Sequence, residues 1–394
     1  MNSAAVLDIG SSKIVCLSGS FIAGGGVSVH GVSVCPYAGY ADNVFQDHRS
    51  LHNAVSEAVQ STEQESRIRI REIALSVPAS FCRVELSDAS VPIGNRSKRV
   101  TSEDIDDVIS LSLEQVRAPG YILMHSTPVA FTVNGIVSAS VPEGVKTNEI
   151  TALVSHMYVQ KEFVHTLEQA LSRVDVEVSM SMSQQLSAAL SIIPEKERMR
   201  PAVLVDIGYQ QTDVSLVENA AITALSSFPV GGKHFTADLA FGLDVPFESA
   251  EVVKRRYVFM QEPLSRTELV RTPSGTKRVD HHVIDLIMQA RANELMDLIR
   301  KSLGHIGVMP EASPVTYVTG GGFVMMRGGT DYLKQSLQLS VKRDLPWVED
   351  MDTPNYSSSF AALDFALRAT GEMPEVNSPQ SMSVTNRLRE LFIK

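Results

Sequence analysis

The feature that most constrains this chain is an internal echo. Val6-Leu7-Asp8-Ile9-Gly10-Ser11-Ser12-Lys13 recurs in degenerate form as Val203-Leu204-Val205-Asp206-Ile207-Gly208 and onward to Thr212-Asp213. In each copy an apolar strand runs into Asp-Ile-Gly, a turn follows, and a second strand departs, Ile14 to Ser18 in one copy and Val214 to Val217 in the other. Two similar α/β halves, with their hairpins facing one another, are expected. A length of 394 residues agrees, because it exceeds what one hydrophobic core usually supports and predicts two to four subdomains.

Composition removes several function classes. With 44% hydrophobic and 20% charged residues, and no apolar run of about eighteen or more, the sequence predicts no bilayer-spanning segment. The N-terminus enters Ala4-Ala5-Val6-Leu7 without a basic region or a cleavage signature, so export is not expected. Cys16, Cys35 and Cys82 are widely spaced among strand-like residues and read as buried free thiols in a reducing compartment. A formal charge of -10 argues against nucleic acid as a partner. His48 and His52 have helical i, i+4 spacing but lack a patterned third ligand, and His281-His282 does too, so no direct metal site is expected.

Between the two echoes, Arg69 to Pro78 reads as a strand. Thr101 and Asp104 are placed like a capping box ahead of the helical stripe Ile105, Val108, Ile109, Leu113 and Val116, which Pro119-Gly120 ends. Asn134-Gly135 between Val129 to Val133 and Ile136-Val137 suits a tight hairpin, and Thr151 to Val159 reads as a further strand. Residues 84–155 thus form an inserted helix-plus-strands unit. Val283 to Leu303 reads as a long helix and Val315 to Val318 as a strand. Beyond Gly371 the composition turns to Pro, Asn, Ser and Gln, a flexible linker.

Each Asp-Ile-Gly hairpin has the chemistry of a phosphate clamp. Gly10 permits close backbone approach, Ser11 and Ser12 offer amides and hydroxyls, and Lys13 adds positive charge. Asp8 and Asp206 would hold the waters of a magnesium ion, which keeps much of its hydration shell. Gly208 and Thr212 are the matching residues of the second hairpin. Gly231-Gly232, followed by Thr236 and Asp238, can open a helix with its amides toward phosphate. Gly320-Gly321-Gly322 after a strand gives another close approach, and Glu251 and Lys254 share a helix face that can meet a nucleoside. One such feature is common. Four in this order resemble the phosphate, adenosine and connecting motifs of the superfamily of actin, sugar kinases and heat-shock chaperones.

Within that superfamily the chain resembles FtsA, the bacterial cell-division family that anchors the tubulin-like FtsZ ring to the membrane. The carriers are LDIGSSK (Leu7 to Lys13), Thr127-Pro128 with Phe131 to Gly135, VLVDIG (Val203 to Gly208), GGKHFTADLAFGL (Gly231 to Leu243), AEVVK (Ala250 to Lys254) and VTGGG (Val318 to Gly322). The resemblance implies an actin-like fold of two lobes: subdomain 1A at residues 1–83 and 156–200, insertion 1C at 84–155, 2A at 201–228 and 307–373, and 2B at 229–306. It also implies ATP or ADP with Mg bound between the lobes, self-assembly into actin-like filaments, contacts with other divisome proteins, and a peripheral position on the cytoplasmic face of the membrane at the division site. By the same resemblance the FtsZ C-terminal tail binds 2B, where Arg291 and Arg300 lie beside Ile284, Ile287 and Leu295; ordinary solvated charges are the alternative for each arginine.

The chain departs from the family after the second Asp-Ile-Gly. Tyr209-Gln210-Gln211 precede Thr212-Asp213 where FtsA proteins carry Gly-Gly-Thr-Thr-Asp, so nucleotide binding is expected and efficient hydrolysis is not. Residues 374–380 read as linker and 381–394 as an amphipathic membrane helix. Val384, Leu388, Leu391 and Phe392 fall on one face, with Arg387, Arg389 and Lys394 off it to meet anionic lipid. A tail docked on 2A is the alternative. A PilM-like adaptor of type IV pili, and a small-molecule kinase or chaperone ATPase of the same superfamily, are the competing functions.

Overall fold

A computed structural model of the chain describes residues 3–22, 26–94, 98–263, 265–309, 314–343 and 356–370. The strand Ser3–Ile9 turns back as Lys13–Phe21, with Asp8 opposite Val15 and Ile9 opposite Ile14. Val27–Pro36 extends this antiparallel pair on one side. On the other side Glu72–Val77 and then Glu177–Ser183 join in parallel, which requires crossover connections, and the first is the helix His48–Ser66. Its Leu51, Val55 and Val59 pack on Leu7, Ile9 and Leu75 of the sheet. The expected strand from Arg69 begins later, at Glu72, because Arg69 is ion-paired with Glu63 at 2.8 Å and the Ile70 amide donates to the same carboxylate.

A second five-stranded sheet repeats the first. Its order is Ala221–Phe228, Thr212–Glu218, Ala202–Ile207, Val315–Thr319 and Val341–Arg343, so the echoed hairpin is central in both sheets, with its third strand outside and two crossover strands on the other flank. The sequence echo is a duplicated topology.

The inserted unit is a four-stranded antiparallel sheet ordered Ile136–Ser138, Tyr121–Val133, Glu149–Gln160, Cys82–Pro92. The helix Ser102–Glu114 covers one face through Ile105 and Val108, which meet Ile150, Ala152 and Val154. The capping box forms as expected: Thr101 N donates to Asp104 at 2.7 Å and Asp104 N donates to Thr101 Oγ1 at 3.3 Å. Asn134 and Gly135 both take positive φ, 51° and 78°, the left-handed pair that the two-residue turn needs.

The chain divides into two compact units, one drawn from Met1–Ala202, Ser215–Leu225 and Ser358–Lys394, the other from Val203–Val214 and Ser226–Ser357. Cys16 and Cys35 are buried free thiols and Cys82 is half-buried. No described helix is long and apolar enough to cross a membrane. The linker 374–380 and the tail residues Val384, Arg387, Leu388, Arg389, Leu391 and Phe392 lie outside the described residues.

Candidate functional site

In the first unit the hairpin turn is closed by Gly10 N donating to Lys13 O at 2.9 Å. Tyr37, the residue after the third strand, fixes it: its hydroxyl donates to Gly10 O at 2.7 Å and its amide to Ser12 O at 3.2 Å. Among the described residues, the Ser12 amide and hydroxyl donate to no protein group. Lys13 is half-buried; burial pushes its ammonium down and Asp8 partly restores it. Burial, and secondarily Asp8, raises the Tyr37 phenol, which therefore stays a neutral donor. Asp8 is buried and accepts from Gln184 Nε2 at 2.8 Å, Ser358 Oγ at 2.8 Å and Ser359 Oγ at 2.6 Å.

The second unit holds the echo in the same geometry, with Gly208 N donating to Gln211 O at 2.8 Å. Two glycine loops close around it. Gly232 N donates to Gly208 O at 3.0 Å, Lys233 N to Tyr209 O at 2.7 Å, and Gly322 N to Ile207 O at 2.7 Å. Side chains would not fit: a Cβ on Gly231 would lie 2.4 Å from Gly208 O, and one on Gly320, whose φ is +90°, would lie 2.3 Å from Asp206 Oδ1. These glycines therefore serve backbone packing between loops. The first amides of the Gly232–Leu243 helix, expected to face phosphate, are bonded to the turn instead.

The Tyr209-Gln210-Gln211 departure is held by its own side chains. Gln211 Nε2 donates to Asp213 Oδ1 at 2.6 Å, and Lys233 Nζ donates to Gln210 Oε1 at 3.2 Å. Thr212 is fully buried and its hydroxyl donates to Val230 O at 2.7 Å, so it supports the turn from beneath. Burial pushes the Asp213 carboxyl up to about 6 against donors from Ser227 and Gln211.

Glu251 and Lys254 lie on the helix Phe247–Arg256 and ion-pair at 2.6 Å. Thr236 Oγ1 donates to Glu251 at 2.6 Å, and Lys254 Nζ donates to Gly232 O at 3.1 Å, which ties this helix to the loop. Burial opposes the Glu251 charge, but donors from Lys254, Thr236 and Arg255 outweigh it and hold the carboxyl low. Burial lowers Lys254 and Glu251 counters it. Arg291 and Arg300 both sit on the helix His281–His305. Arg291 grips Asp238 with two bonds, 2.5 and 2.9 Å, and also reaches Glu294, whereas Arg300 is half-exposed and bonds Asp297 and Ser336 O.

The sequence pattern did not reveal Tyr37, Gln184, Ser358 or Ser359. They come from distant segments and only the folded topology brings them to the first turn. The chemistry of the first turn fits a magnesium nucleotide: an amide and hydroxyl at Ser12, the ammonium of Lys13, and the Asp8 carboxylate beside the turn, able to accept from metal-bound water.

Duplicated sheets with a glycine turn beside an aspartate in each define an actin-fold protein. The comparisons agree. The family model described as "Type IV pilus assembly protein PilM" matches residues 6–273, and that described as "Cell division protein FtsA" matches residues 203–361. The "Cell division protein FtsA" of Pseudomonas aeruginosa is 24% identical over 92% of this chain and 88% of its own length. Among solved structures, the "PilM-PilN type IV pilus biogenesis complex" superposes with a TM-score of 0.61 at 19% identity, covering 92% of this chain and 98% of that one. MreB5 of Spiroplasma citri bound to ADP gives 0.52 at 14% identity, covering 91% and 95%. The chain belongs to the family described as type IV pilus assembly protein PilM, whose model covers more than half of it, and over nearly its whole length it is similar to FtsA cell-division proteins.

Proposed function

We propose that this protein is a nucleotide-dependent assembly factor of cell division that binds ATP or ADP with Mg, polymerises with its own copies, binds the FtsZ C-terminal tail and attaches to anionic membrane through residues 381–394. The observation that carries the nucleotide reading is the pair of matched turns, Gly10 N to Lys13 O at 2.9 Å and Gly208 N to Gln211 O at 2.8 Å, each following an Asp-Ile-Gly strand. The ADP held by MreB5, a protein of the same fold, supports it. Gly10, Ser11, Ser12 and Lys13, with Gly208, Gly231, Gly232, Glu251, Lys254 and Gly320 to Gly322, are the proposed nucleotide residues. Asp8 and Asp206 are the proposed acceptors for metal-bound water. The metal would neutralise phosphate charge. Tyr37 and the glycine loops keep the turns in shape, and the side-chain-locked Tyr209-Gln210-Gln211 segment favours holding nucleotide over turning it over.

The subdomain division 1A, 1C, 2A and 2B is part of the same proposal. For the FtsZ tail we favour Arg300, which is exposed, over Arg291, whose guanidinium is already committed to Asp238. Thermal unfolding with millimolar Mg-ATP tests the nucleotide reading. At about 100 times Kd, a ligand specific for the folded state adds roughly 2.7 kcal/mol, and no shift in nucleotide-free protein would remove the reading. The PilM model over residues 6–273 favours one second reading, an adaptor that docks on a membrane protein's peptide. Liposome pelleting by the protein alone separates the two. Substrate-dependent phosphate release at many turnovers per second would favour a kinase over both.

A further inference from the structure

Three side chains remote from one another in sequence converge on Asp8. Gln184 Nε2 donates to Oδ1 at 2.8 Å, while Ser358 Oγ and Ser359 Oγ both donate to Oδ2, at 2.8 and 2.6 Å. A carboxylate offers about four lone-pair sites, roughly two to each oxygen. Oδ2 is therefore full, and Oδ1 keeps one place for a further donor.

The serines cannot move independently. They stand in the first turn of the helix Ser357–Thr370, whose Phe360, Leu363 and Leu367 are buried. Leu363 Cδ2 comes within 2.9 Å of where a Cβ on Gly19 would stand, and Arg368 lies 6.0 Å above the Phe21 ring, so the helix is seated along the strand Lys13–Phe21 that leaves the turn. Breaking the bonds to Oδ2 would mean unseating the helix or leaving a buried charge under-satisfied.

We propose that Ser358 and Ser359 are positioning residues for the metal-nucleotide complex, fixing Asp8 so that it accepts one metal-bound water through Oδ1 and does not ligate the metal directly. This rests on the nucleotide reading above. It adds that the metal's share of nucleotide affinity depends on the first turn of a helix more than three hundred residues away in the chain.

The test uses the full chain and a fluorescent ADP analogue, titrated with Mg and again in EDTA, for the wild type, Ser358→Ala, Ser359→Ala, the double alanine variant and the double threonine variant. The wild type should bind more tightly with Mg. The double alanine variant should lose roughly tenfold or more of that gain, as expected when support behind a metal-interacting group is removed, with EDTA affinity within about twofold of wild type. The single variants should fall between, and the threonine pair, which keeps both hydroxyls, should restore the gain. A helix-capping role alone would lower stability and leave the Mg gain untouched, so a folded double alanine variant, or folded single variants if the double does not fold, with the full gain overturns the proposal. Hydrogen exchange over residues 357–370 gives an independent reading. Mg-nucleotide should leave protection equal or higher, and a loss would mean direct ligation that displaces the serines. Wild type that binds nucleotide with no Mg gain also overturns this inference while sparing the nucleotide reading; wild type that binds no nucleotide removes both.

Discussion

Gly208 and Gly322 meet so closely that a Cβ on Gly322 would lie 1.9 Å from the Gly208 carbonyl oxygen. No rotamer change relieves that contact, because both partners are backbone. Gly322→Ala should therefore destabilise the second unit by about 1–3 kcal/mol or more, as overpacking does. Gly304→Ala, where a Cβ meets nothing within 4 Å in the helix His281–His305, should be neutral or stabilising by up to about 1 kcal/mol. Urea unfolding of the two variants checks the contrast, and equal midpoints would show that the loops have slack.

The two-bond grip of Arg291 on Asp238 joins the helices Gly232–Leu243 and His281–His305, with the arginine side chain 18% exposed. Charge-assisted, bidentate and partly buried, it should show a coupling of about 1–2 kcal/mol in a double-mutant cycle of Arg291→Ala and Asp238→Ala. Arg300→Glu should weaken binding of an FtsZ tail peptide with little effect on stability, because exposed pairs such as Arg300 with Asp297 contribute about 0–1 kcal/mol. Additive single effects at 291 and 238 would mean that the grip is incidental.

The fold was legible in the sequence where local chemistry dictates structure. The Asp-Ile-Gly turns, the Thr101–Asp104 capping box and the Asn134-Gly135 hairpin each follow from residues adjacent in the chain, and all three formed. The site was less legible. The glycines read for close approach to phosphate also stand where loop meets loop, as Gly322 does against Gly208, and that tertiary contact has no signal in the sequence. Gln184, Ser358 and Ser359 reach Asp8 only through long-range packing, which carries no periodic or motif signal. Arg291 stood out as a charge on an apolar helix, but its partner Asp238 lies 53 positions away, beyond the range of i, i+4 reasoning.

Three or four apolar side chains of the C-terminal tail at about 1.5–3 kcal/mol each are opposed by the entropy of ordering the segment, so one tail alone should bind at most weakly and reversibly. Polymers carrying many tails gain by avidity. Phe392→Glu, or deletion from Ser381 onward, should abolish pelleting with anionic liposomes while thermal stability and nucleotide binding stay unchanged, and undiminished pelleting would assign the membrane contact to another part of the chain.

Burial shifts titratable groups of opposite sign in the two units. In the first unit His125 and His156 are pushed by burial to about 4 from 6.5. His156 is fully buried and held by Ser126 at 2.8 Å on Nδ1 and by Ser87 and Ser112 at 3.0 and 3.2 Å on Nε2. Between about pH 6.5 and 4 the unfolded chain binds these protons and the folded chain does not, so stability falls as pH drops through that window, by up to about 1.4 kcal/mol per pH unit for each histidine. In the second unit Asp213 is raised from 3.8 to about 6. There the folded state holds the proton that the unfolded state has released, so its contribution is present below pH 3.8 and is lost as pH rises to about 6. Hydrogen exchange from pH 7 to 4.5, corrected for intrinsic rates, should show the strand Glu149–Gln160 losing protection. Around Thr212, Asp213 and Val214, the part of the strand Thr212–Glu218 that lies in the second unit, the loss should be smaller, or protection should rise. Asp213→Asn, which keeps a neutral side chain at every pH, should flatten the second response and leave the first unchanged; parallel losses in both strands would show that the two units do not titrate independently.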